Sequence, residues 1–191
     1  MKELGYRWSR SDVRPEWAFR AELEEQWWVF RAFVKWAVER EASLIFIDES
    51  SFSDRTLSYW SWLHLGSNER LVKLTAPKSV TVISAIDSDG WLLTVFREGT
   101  NTEVEFNEFI NLVLNYYRDL FGVIKLKDWK KKLVFVFDNA RIHLTERVKQ
   151  TFIRESITAL TLPAYSPELN PIELVFGLAK RQLVKTADCN K

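Results

Sequence analysis

Residues 166–183 read SPELNPIELVFGLAKRQL, and this stretch decides the fold once it is set beside two earlier apolar runs. Pro171 and Glu173 fall in the first turn of a helix running to about Lys185, since proline is pre-shaped for a helix start. The earlier runs are LIFID, residues 44–48, and LVFVFD, residues 133–138. Both are short and rich in β-branched or aromatic residues, which predicts buried strands. Each ends in a carboxylate, Asp48 or Asp138. A buried strand that runs out into an acid delivers it to the edge of a sheet, where open α/β proteins bind ligands. Three such acids from distant segments suggest a metal site.

Working outward, residues 16–40 carry Trp27, Phe30, Phe33, Val34, Ala37 and Val38 at helical spacing, widened by Trp17, Leu23 and Trp28. Packing on a sheet is the default explanation for such a face, and covering a partner in an oligomer is the alternative. The polar stretch DESSFSDR after Ile47 reads as a turn, followed by SYWSWLHLG. KSVTVISAID and WLLTVFREG, separated by Ser88, Asp89 and Gly90, read as a hairpin. Phe106, Phe109, Ile110, Val113, Leu114 and Tyr117 mark an amphipathic helix between Thr102 and Phe121. Residues 145–155 form another helix, and ITALTLP forms a strand ending at Pro163. The order strand, hairpin, helix, strand, helix, strand, helix predicts an α/β protein: a mixed sheet flanked by helices, with right-handed crossovers between parallel strands. Residues 1–42 are expected to be a linker and amphipathic helix, 43–186 the main domain and 187–191 a tail.

With 191 residues, 47% of them hydrophobic and 14% aromatic, the chain can bury one sizeable core. It has no run of about 18 apolar residues, and MKELGYRWSR has no signal-peptide stretch, so a soluble intracellular protein without membrane insertion is expected. Cys189 is the only cysteine, which excludes intrachain disulfides and zinc sites built on paired cysteines. The net charge of +1 hides local basic groups. These are Lys125, Lys127 and Lys130, Lys131 and Lys132; Arg141, Arg147, Lys149 and Arg154; and Lys180, Arg181 and Lys185. Such clusters can neutralise a phosphate backbone while acidic stretches cancel them in the total, or they are solvated helix faces. Lys130, Lys131, Lys132, Arg141, Lys180 and Arg181 are the candidate contacts to a nucleic-acid backbone.

Each acid also has a purely structural explanation. Asp48 and Asp138 could start turns, as strand-terminal aspartates commonly do, and Asp87 holds the same kind of position. Asn170, Pro171 and Glu173 match N-cap, N1 and N3 of a capping box.

The constellation outweighs these explanations. Asp138 and Glu173 are separated by 34 residues, with FDNARIH after one strand and LPAYSPELNPIE after the next. Together with IDESSF around Asp48 and WLHLG at 62–66, these motifs resemble the catalytic domain of the mariner superfamily of DDE transposases, including bacterial insertion-sequence relatives. The resemblance covers about residues 40–185, and NPIE is its most specific part.

The resemblance implies a ribonuclease-H-like fold in which Asp48, Asp138 and Glu173 bind two divalent ions, normally Mg2+ with Mn2+ as a substitute, and cut DNA. It implies hydrolysis at a transposon end followed by attack of the freed 3′-hydroxyl on target DNA. Asn139, His143 and Asn170 support the site by the same resemblance, with Asn139 and His143 beside it orienting phosphate or nucleophile. The expected partners are transposon-end and target DNA and a second copy in a homodimer. The compartment follows the host: nuclear in a eukaryote, otherwise cytoplasmic.

Three departures accompany the matches. Only 43 residues precede LIFID, where the family carries a helix-turn-helix DNA-binding region; Phe176 stands where it usually has tryptophan; and its members commonly run on well beyond Lys191. These imply a truncated or degraded copy lacking end recognition. The alternatives are an inactive transposase-derived remnant that binds nucleic acid or protein, and another ribonuclease-H-like nuclease or a metal-dependent phosphatase. Ser50 argues against an aspartyl-nucleophile phosphatase, which would want a second aspartate there.

Overall fold

Alternation along the apolar runs builds a sheet with two buried faces, and the helices supply the covers. The computed structural model describes residues 21–53, 79–121 and 130–189. In chain order these form helix α1 (Ala21–Glu39), strands β1 (Ser43–Ser53), β2 (Ser79–Asp87) and β3 (Gly90–Glu98), helix α2 (Glu103–Phe121), strand β4 (Leu133–Phe137), helix α3 (Glu146–Glu155), strand β5 (Thr158–Thr161) and helix α4 (Ile172–Cys189). The sheet order is β3-β2-β1-β4-β5. β1, β4 and β5 run parallel, and β2 and β3 extend the sheet antiparallel on the other side of β1. This is the mixed, helix-flanked α/β sheet that the element order predicts.

Side chains of alternating parity serve the two faces. Ile45, Ile47, Phe135, Phe137 and Ala85 pack under α2 and α3. All six apolar positions expected on α2 are buried there. On the opposite face, Leu44, Phe46, Val134 and Val136 meet Phe30, Phe33, Val34 and Ala37 of α1. Farther along that face Val82 and Ile86 meet Ile172 and Phe176 of α4. Phe176 is buried and lies 6.5 Å, edge to face, from Phe52, so it fills the core at the position where tryptophan was expected. Fully burying a side chain of this size stabilises by roughly 1.5–3 kcal/mol.

Several local expectations change. β1 does not end at Asp48: it continues to Ser53, paired with β2 down to Ser53 and Ser79, where a polar turn was expected. β2 supplies the backbone partners, so polar side chains do not end the strand. Trp28 and Val38 of α1 face outward, because the helix buries a narrower stripe than its apolar content suggests. Asp87 is a turn device: its Oδ1 accepts the backbone N–H groups of Asp89 and Gly90, at 2.8 and 3.2 Å, and its Oδ2 accepts the Tyr117 hydroxyl. Gly90 has φ +124°, a backbone conformation that suits glycine in the tight β2–β3 hairpin. Trp17, the WLHLG stretch, Lys125 and Lys127 lie outside the described residues. Among the described residues no helix is long and apolar enough to cross a membrane.

Candidate active site

The parallel ladder of β1 and β4 sets the site. Its last matched pair is Phe46 with Val136. Two residues further along each chain stand Asp48 and Asp138, which strand alternation puts side by side on the face shared with Phe46 and Val136. Glu173 arrives from the first turn of α4, packed on that same face. The three acids line one cavity of about 540 Å³, walled also by Glu49, Asn139, the 162–167 loop and Asn170. The expected acids are thus brought together at the sheet edge where parallel strands end.

Asp48 is the buried member. Its Oδ1 accepts the Glu49 backbone N–H at 2.7 Å, and its Oδ2 accepts the Asn170 side-chain amide at 2.8 Å. Burial pushes its pKa up to about 7, and the charges of Glu173, Asp138 and Glu49 push the same way against the Glu49 N–H. No lysine or arginine among the described residues is paired with Asp48 or Glu173. Nor are any three His, Cys, Asp or Glu side chains among them clustered as ligands of one ion. The acids share a cavity without forming a closed cage.

Asn170 does not cap α4. Its side-chain amide goes to Asp48, and its backbone N–H goes to the Pro167 carbonyl, at 3.0 Å, rather than to Glu173. The capping-box explanation therefore does not account for Asn170 or Glu173, and the glutamate is left exposed at the cavity.

His143 sits behind the site rather than in its wall. It is 1% exposed, with its ring stacked on Phe106 at 3.9 Å and edge-on to Phe137. Nδ1 lies 2.7 Å from Asp138 Oδ1 and Nε2 lies 3.2 Å from Glu49 Oε2. The Nδ1 contact is short but poorly aligned for a hydrogen bond, so charge holds it more than direction does. Burial opposes protonation of the ring, yet the contacts with Asp138 and Glu49 overcome it and lift the pKa to about 9. The same contact outweighs burial at Asp138 and, with the Ala140 N–H at 2.9 Å, holds that carboxyl below the usual range. His143 is therefore not placed to orient phosphate directly, as the sequence reading expects.

Asn139 lines the cavity, beside the acids as expected. Its amide donates to the Leu162 carbonyl at 2.6 Å, tying the turn after β4 to the chain leaving β5. Glu49 escapes a reading of the sequence because its partner is 94 residues away; its only local signal is its place directly after Asp48. Tyr165 is a second missed wall residue, exposed and held at φ +56°. Backbone held in that region by a non-glycine residue is uncommon and clusters at functional sites.

The basic candidates divide. Arg141 lies in the turn just after Asp138, and Lys180 and Arg181 lie two turns along α4 from Glu173, with Lys180 over the Phe52 ring. Lys130, Lys131 and Lys132 form a single turn before β4, at the end of that strand away from Asp138. Lys132 pairs with Glu41 at 3.4 Å.

A family profile described as DDE superfamily endonuclease matches residues 43–191. The chain belongs to that family. Among solved structures, this DDE domain is similar to a Mos1 transposase paired-end complex with left transposon end, at TM-score 0.68 and 15% identity, covering 95% of this chain and 55% of that one. It is also similar to the catalytic domain of Mos1 mariner transposase, at TM-score 0.61 and 14% identity, covering 91% and 76%. A further match is a Mos1 paired-end complex with Mg, at TM-score 0.67 and 15% identity, covering 94% and 55%. The DDE domain thus spans a little over half the length of the transposase chains in those complexes, and it has their ribonuclease-H-like fold. No curated protein sequence matches it.

Proposed function

We propose that this DDE domain cuts DNA with the help of divalent ions, as the catalytic part of a cut-and-paste transposase. The carrying observation is that Asp48, Asp138 and Glu173 line one cavity at the sheet edge, with Asp48 buried, close to the other acids and paired with no lysine or arginine among the described residues. The donor set fits Mg2+, which takes oxygen ligands, keeps several waters and needs only one or two carboxylates beside substrate phosphates. Mn2+ would substitute, and two ions would share the three acids. Bound there, the ions would supply neutralising charge for the attacking and leaving oxygens of phosphodiester cleavage.

The chain's own residues do the rest. Asn170 fixes Asp48 by holding Oδ2, and the backbone N–H of Glu49 holds Oδ1. Helix α4 carries Glu173 on a rigid element, whereas Asp138 is fixed by the turn that follows β4. No side chain needs to become covalently attached to DNA. The substrates would be transposon ends and then target DNA, joined through a freed 3′-hydroxyl. Pairing two ends would call for a homodimer, and the paired-end complexes of Mos1 support that assembly.

The test is nicking of supercoiled plasmid with Mg2+ or Mn2+, which needs no end recognition, run beside Asp138→Asn. Expected is nicking that EDTA stops and that the variant lacks. If both proteins are folded and equally inactive, the nuclease reading fails and a DNA- or protein-binding remnant replaces it.

A further inference from the structure

We propose that Glu49 and His143 form a positioning pair for Asp138, turning one of its two carboxylate oxygens into the cavity. The proposal rests on the nuclease reading and deepens it. His143 has a carboxylate at each ring nitrogen, Glu49 Oε2 at 3.2 Å and Asp138 Oδ1 at 2.7 Å. The ring is sealed from water and sandwiched by Phe106 and Phe137, so it cannot swing without opening the core.

The consequence falls on Asp138. Its Oδ1 receives both His143 and the Ala140 N–H at 2.9 Å. No described residue is recorded against Oδ2, and the side chain, 49% exposed, lines the cavity. A carboxylate at the free end of a strand would otherwise turn about its side-chain torsions; here one oxygen is anchored and the other is presented. Glu49 in turn fixes His143 from the reverse face of β1, one residue after Asp48. One strand thus supplies a cavity acid and the anchor for the holder of the next.

Outer partners that orient a ligand typically matter by about 10- to 100-fold in metal affinity or activity. The experiment is Mn2+ titration by calorimetry of the wild-type domain, Glu49→Gln, His143→Phe and His143→Gln, with thermal melts of each. Expected is Mn2+ affinity lowered about 10- to 100-fold in Glu49→Gln and His143→Phe with a cooperative melt retained. His143→Gln, whose amide can still donate to Asp138, should recover part of the loss. Unchanged affinity in folded Glu49→Gln and His143→Phe overturns the positioning pair and leaves the nuclease reading standing. A wild type that binds no Mn2+ overturns both. Glu49→Gln is close to isosteric, which protects the test against misfolding. As a second measurement, Mg2+ should move the ring-nitrogen resonances of His143 in labelled wild-type protein, which has only two histidines. Binding of Mg2+ without such movement also overturns the proposal.

Discussion

At the scale of single residues, Asp48 carries a large electrostatic cost when it ionises. Its folded-state pKa of about 7 stands above an ordinary value near 3.8, so the fold favours the protonated acid. The corresponding stability is intact below about pH 3.8 and is lost as pH rises through about 7. At full ionisation the displacement is worth on the order of 4 kcal/mol. Without divalent ions, the denaturant midpoint should fall between about pH 4 and pH 8, and Asp48→Asn should flatten that fall. Mg2+ should restore more stability at the upper end of the interval than at the lower. His143, raised to about 9, adds a loss of the same sign at higher pH. Denaturation series with and without Mg2+ check all three statements. The three acids were legible because each stands in a recognisable motif. The work of Glu49 was not, since a pair separated by 94 residues shows no periodicity.

Among the elements, α2 and β4 were the most legible. α2 buries all the apolar positions that its spacing marks, and β4 is buried along its whole length. Phe106 joins this core to the site by carrying the His143 ring. Phe106→Ala should therefore cost about 3–5 kcal/mol in chemical denaturation. It should also weaken Mn2+ binding, whereas truncating Ile110, buried farther along α2, should cost stability alone. The far half of β1 was not legible. Its residues DESSFS are polar enough to read as a turn, and only the backbone pairing offered by β2 keeps them extended. Likewise the Asn-Pro-x-Glu pattern is ambiguous in sequence between a helix cap and a site, and only the structure shows the Asn170 amide going to Asp48 instead of to a cap.

At the scale of the whole molecule, the described candidate DNA contacts fall at two edges of the sheet. Arg141, Lys180 and Arg181 belong to elements that border the cavity, while Lys130, Lys131 and Lys132 directly precede β4 and so lie a strand length of roughly 17 Å from Asp138. For plasmid binding, replacing Arg141 and Arg181 by alanine should reduce the salt slope by about 0.9 for each lost phosphate contact. Replacing the lysine turn should leave nicking unchanged. Filter binding over a salt series separates the two edges. The fold class was legible from the order of elements along the chain, whereas the strand order in the sheet and the division of charge needed the sheet itself. The sheet also makes the geometry of the candidate site a question of register. Asp48 and Glu49 are neighbours on opposite faces of β1. A slip of one residue against β4 would exchange the faces of Asp48 and Glu49 and turn Asp48 toward His143, leaving every acid present but misplaced. The antiparallel pairing that carries β1 on to Ser53 acts as the lock against that slip, so sequence changes far along this strand can silence the site without touching it.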